Sequence, residues 1–76
     1  MSALDEIAAE RDNMLARARG GVTRDDGRAP ERWLRSLQSL LDGGYGQRQL
    51  WVKIGAVALR AVEAIDRQRS AWDGAR

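Results

Sequence analysis

The stretch from Gln47 to Trp72 limits this chain most, because its apolar residues cover more than one side of a helix. Leu50, Trp51, Ile54, Val57, Ala58, Ala61, Val62 and Ile65 recur at three- and four-residue spacing. Between Leu50 and Asp66 the charges are confined to Lys53, Arg60, Glu63 and Asp66. A surface helix needs one apolar stripe. A wider arc marks a helix covered from several sides, the centre of a small bundle or an element shared with a second subunit. Gly55, Ala58 and Ala61 are small enough to let another helix approach closely.

The remaining chain supplies two further helices. Ser2 is placed to cap a first helix over residues 3–19, with Asp5 three positions on. Leu4, Ile7, Ala8, Met14, Leu15 and Ala18 form a thin stripe, interrupted by Arg11. Gly20-Gly21 closes this segment, and Thr23, Asp25, Asp26 and Gly27 read as turn residues in a polar connection. Asp25-Asp26 suits a turn and a cap for the next helix better than a cation site. Pro30 opens a second helix over 30–42, where its missing N–H costs nothing. Trp33, Leu34, Leu37, Leu40 and Leu41 give it a strong apolar face, and Gly43 is placed to end it. The third helix covers 47–72. The expected fold is therefore all-α: a small three-helix bundle, or a helical hairpin with an additional N-terminal helix, with the long C-terminal helix as spine. One domain accounts for the 76 residues.

Composition removes most catalytic chemistry. There is no Cys and no His, so thiol nucleophiles, histidine bases and the usual zinc ligands are absent. No catalytic, cofactor or metal residue is assigned on the favoured reading. The net charge of +2 is ordinary, and all but one of the 13 cations are Arg. No stretch approaches the roughly 20 apolar residues a membrane span needs. The expectation is a soluble protein of the bacterial cytoplasm.

Lys53, Arg60 and Arg67 recur at seven-residue spacing and form one basic stripe, a solvated face or a surface for an acidic partner. Arg28, Arg32 and Arg35 cluster at the start of the second helix. Trp72 lies beyond the apolar run and has the chemistry of an interface anchor. These seven are the candidate partner-binding residues. Trp33 and Trp51 lie on apolar faces and are expected to pack inside.

Leu4-Asp5-Glu6-Ile7-Ala8-Ala9-Glu10-Arg11, the looser Gly21-Val22-Thr23-Arg24-Asp25-Asp26, Trp51-Val52-Lys53-Ile54-Gly55-Ala56 and Glu63-Ala64-Ile65-Asp66-Arg67 together resemble a family of small helical proteins encoded by phages and prophages. The likeness covers both ends and is vague through the middle, where this chain is shorter. Most members have no known function, and some carry a nucleotide diphosphohydrolase label. The resemblance implies a phage or prophage protein without enzymatic activity that binds a host protein, in the manner of anti-defence inhibitors such as anti-CRISPR proteins. It also implies an alternative: a reduced nucleotide pyrophosphohydrolase, with Glu63 and Asp66 (i,i+3) and Glu6 and Glu10 (i,i+4) holding Mg²⁺. Against this, Arg60 and Arg67 stand at helix-contact spacing from Glu63, and no phosphate-binding loop is present. A third reading takes the second and third helices as a helix-turn-helix. The segment from Leu50 to Leu59 is too apolar for a major groove, which argues against nucleic acid as a partner. The over-apolar third helix points to a homodimer through that helix.

Overall fold

The computed structural model describes residues 2–18 and 20–74; the side chains of Val22, Arg24 and residues 70–74 lie outside the description. Four helices follow in order: α1 (Ala3–Arg17), α2 (Gly21–Asp25), α3 (Pro30–Asp42) and α4 (Gln47–Gly74). The three long helices and the all-α class match the expectation, with α4 as spine.

Helix α1 begins where the capping box forms. The Asp5 N–H donates to Ser2 Oγ at 3.1 Å, and the Asp5 carboxylate accepts from the Ser2 N–H at 3.3 Å. The helix ends at Arg17, earlier than expected, because Ala18 is already extended at φ −80° and ψ 134°. Arg19, inside the expected helix, lies outside the described residues. In α3 the proline occupies the first turn as expected, but Ala29 is the N-cap and no side chain caps it. Asp25 and Asp26 therefore do not cap α3. Gly43 is the C-cap with ordinary right-handed geometry, and Gly44 takes the left-handed turn at φ +73°. A Cβ on Gly43 would lie 2.6 Å from the Tyr45 ring, so the missing side chain is what lets that ring fold back over the end of α3.

The polar connection contains a single helical turn, α2, that its composition conceals. Five residues are too few to show periodicity or to be stable alone. What holds α2 is its last residue, Asp25, which is fixed by α4.

Helix α4 lies between the other two long helices. Helix α1 runs parallel to it, with Glu6 at Arg48, Glu10 at Lys53 and Met14 at Arg60. Helix α3 runs antiparallel on the other flank, with Trp33 beside Arg60 and Tyr45 beside Lys53. Among the described residues α1 and α3 do not pack on each other; each packs on α4. Helix α2 crosses one face of α4, and the molecule is flat, 46 × 29 × 18 Å. Gly55 allows the close approach of α1: a Cβ there would stand 3.1 Å from Ile7 Cδ1.

The interior is thin. Among the described residues, the buried apolar side chains are Ala56, Val57 and Ala64, all small. Ile7, Met14, Trp33, Leu37, Leu40, Leu50 and Ile54 are half-buried. Trp51, expected inside, is 61% exposed. No helix among the described residues is long and apolar enough to cross a membrane.

Candidate functional site

The basic stripe of α4, expected as a solvated face or a surface for an acidic partner, is instead engaged within the chain, nearly enclosed at Lys53 and Arg60 and partly exposed at Arg67. Seven-residue spacing stacks Lys53, Arg60 and Arg67 in one row, and that row lies on the face that α2 crosses. Each cation meets an acid from outside α4. Lys53 Nζ is 3.1 Å from Glu10 of α1. Arg60 grips Asp25 of α2 with two hydrogen bonds, 3.0 Å from Nε and 2.7 Å from Nη2. Arg67 Nε donates to Asp26 at 3.0 Å. Lys53 and Arg60 are nearly enclosed, at 12% and 11% exposure, and among the described residues Asp25 is the most deeply buried polar one, at 1%. The acidic counterpart of the stripe is thus supplied from within the chain.

Arg28 closes the same cluster. Its guanidinium lies 4.2 Å from the Trp33 ring centre, donates to Ser36 Oγ at 2.9 Å and stands 3.7 Å from Asp25. Arg60 reaches the same ring at 5.5 Å. Trp33 is therefore a platform for two guanidiniums, an arrangement in which the negative ring face attracts each cation. Arg32 and Arg35 are exposed. With Arg28, Ser36 and Ser39 they line a shallow depression of about 230 Å³. A larger open groove of about 410 Å³ separates α1 from α3, floored by Lys53, Val57 and Arg60. Trp72 lies on α4, but its side chain is outside the described residues.

The carboxylates of the metal alternative are dispersed. Glu63 accepts from Arg11 at 2.7 Å, so its partner is the arginine that interrupts the α1 stripe. Hydrogen bonding to Asp12, opposed by partial desolvation and aided by the charge of Glu63, holds the Arg11 guanidinium above its usual pKa range. Glu6 binds Arg48, whose own pKa is raised by that hydrogen bond and charge. Glu10 serves Lys53 and, at 3.5 Å, Arg17. Asp66 is exposed and takes part in none of these pairs. Among the described residues no three acidic side chains gather closely enough to hold a metal ion.

The face opposite the basic row carries the unexpected feature. Residues two apart on a helix point about 200° away from each other. Trp51 stands two positions from Lys53, Ala58 and Val62 two from Arg60, and Ile65 two from Arg67. These four residues are exposed. Helix α3 behaves alike: Ser36 and Ser39 line the groove, and Leu34 and Leu41, two positions away, are exposed on the far side. On α1, Leu4 is exposed. The apolar face expected for α3 is thus split, with Trp33, Leu37 and Leu40 turned inward and Leu34 and Leu41 outward. The wide arc on α4 was a signal for this surface. Its direction depended on where α2 crosses.

Comparison with family models, with curated proteins and with solved structures finds no match to this chain.

Proposed function

We propose that this protein is a non-enzymatic binding module that acts by occupying the surface of a host protein. The observation that supports this reading is the division of its side chains. The acids with a spacing suited to metal chemistry, Asp66 excepted, are engaged by cations of the same chain, whereas large apolar residues and Arg32 and Arg35 are displayed outward. A chain built this way has little to offer a substrate and much to offer a partner. Exposed apolar surface of this extent on a small protein marks an interaction site. Arg32 and Arg35, beside Arg28, suit an acidic partner surface, because a guanidinium can bind a carboxylate with two parallel hydrogen bonds.

The specific form we favour is anti-defence inhibition of the anti-CRISPR kind, and it rests on the phage-like segments. The test is phage plating on a bacterial host with an active CRISPR system that targets the phage. Expression of the protein should raise plating efficiency, and Arg32→Glu with Arg35→Glu should remove the gain while leaving the circular dichroism unchanged. Equal plating with and without the protein overturns the inhibitor reading. Release of pyrophosphate from nucleoside triphosphates with Mg²⁺, lost in Glu63→Gln, overturns the non-enzymatic reading.

A further inference from the structure

We infer that the exposed apolar face of α4, flanked by Leu34 and Leu41 of α3, is covered by the same face of a second copy of this chain. The inference rests on the binding-module reading and assigns the occupant of one of its surfaces. The first argument is the layering. Stable domains bury apolar surface between at least two layers of secondary structure. Here α1, α4 and α3 lie side by side, and α2 covers one face only. The buried apolar residues among those described are two alanines and a valine, so the chain needs its cover from the moment it folds. A second copy is the partner present at that moment.

The extent of the face agrees. The exposed parts of Leu34, Leu41, Trp51, Val62 and Ile65 sum to apolar area on the order of 500 Å², the greater part of the ~800 Å² per partner that a stable interface buries. A two-fold interface must be complementary to itself. The α4 row meets this condition. Trp51 and Ile65 lie equally far, seven residues, on either side of Ala58, and the small central residue allows two α4 helices to cross closely. With an antiparallel crossing at Ala58, Trp51 of one copy faces Ile65 of the other.

Charge follows the same symmetry. The row from Trp51 to Ile65 carries no charge, so no ion is desolvated. Asp66, which takes part in none of the ion pairs above, lies eight residues beyond Ala58, and Arg48 lies ten residues before it. Eighteen residues apart, five full turns, they share one side of the helix. The two-fold brings Asp66 of one copy to within about one turn of Arg48 of the other. The arginines of α3 and the groove floored by Arg60 remain outside this interface, on both ends of a paired molecule.

Two measurements decide. Sedimentation equilibrium from 1 to 100 µM should give a particle of twice the 8.5 kDa chain mass, and Asp66→Arg should weaken self-association about tenfold. The chain has no Cys, so a single one can be placed. Ala58→Cys, on the two-fold axis, should oxidise to a covalent dimer at least tenfold faster than Ser39→Cys, on the groove side of α3. A chain-mass particle at 100 µM, or cross-linking at Cys substitutions of Ser39 and Ala58 at equal rates, overturns the inference. A dimer that leaves phage plating unchanged sinks the proposed inhibition and spares the dimer; a monomer that raises plating does the reverse.

Discussion

The two faces of α4 reverse the usual arrangement of an amphipathic helix. One face carries Lys53, Arg60 and Arg67 and is tucked under α2 and against α1. The other carries Trp51, Ala58, Val62 and Ile65 and is open. Ordinarily the charged row faces water and the apolar row is covered. The difference teaches that enclosure here follows the position of acids. Asp25 and Asp26 lie on the connection that meets α4 on its charged side, and Glu10 of α1 joins them at Lys53. A buried ion pair adds little net stability, because desolvation offsets its Coulomb attraction. What it supplies is direction: Asp25 under Arg60 fixes the face on which the connection between α1 and α3 crosses. Folding energy has to come from elsewhere, and the uncovered apolar face is the largest reserve.

The comparison can be broken most sharply at Asp25. Asp25→Ala leaves the Arg60 guanidinium enclosed without its partner, and truncating one side of such a pair costs about 3–5 kcal/mol. Urea unfolding should show this loss, which is large beside the marginal stability of a small domain. The double variant Asp25→Ala with Arg60→Met should recover at least half of it. If the single variant unfolds at the same urea concentration as the parent, the ion pair does not hold α2.

A smaller effect is expected where α1 meets α4. Gly55→Val drives two methyl groups toward Ile7, whose Cδ1 would stand only 3.1 Å from the Cβ itself. Overpacking of this kind costs about 1–3 kcal/mol, and thermal unfolding should report it. A rise in melting temperature would mean that helix propensity outweighs the contact.

At the open end of the basic row the effect shrinks further. Arg67 and Asp26 are both partly exposed, at 38% and 41%. Arg67→Gln should cost less than about 1 kcal/mol, and the loss should diminish in 0.5 M salt, since exposed pairs are weak and screened. A salt-independent loss as large as that of Asp25→Ala would show that the whole row acts as one unit.

The smallest single-chain effect belongs to the apolar face. Val62 is 55% exposed, so Val62→Ser should change the stability of the isolated chain by about 0.5 kcal/mol or less, the scale of ordinary surface substitutions. A loss that grows as protein concentration rises reports cover by another chain, because association stabilises by mass action.

Much of the architecture was legible along the chain. Ser2 and Asp5, Pro30 and the Gly43–Gly46 turn marked helix ends through local chemistry that needs no distant partner. The wide arc on α4 showed that more than one neighbour was required. Helix α2 was not legible, because five residues carry no period. Nor was the fate of Trp51, since an arc wider than half a helix does not say which part is covered. The candidate residues divided in the same way. Spacing placed Lys53, Arg60 and Arg67 in one row but gave no sign that acids of the same chain would meet them. Their acidic partners come from positions 35 to 43 residues away for Lys53 and Arg60, a distance no local pattern spans.

The sequence by itself determined three long helices, their order and the central place of the last, because caps, breakers and apolar spacing act within a few residues. Only the tertiary structure decided which face of α4 is shut and which is open. That choice depends on the path of the connection over α4, which Asp25 secures through a long-range pair with Arg60, and the apolar row then lies about 200° away by helix geometry alone.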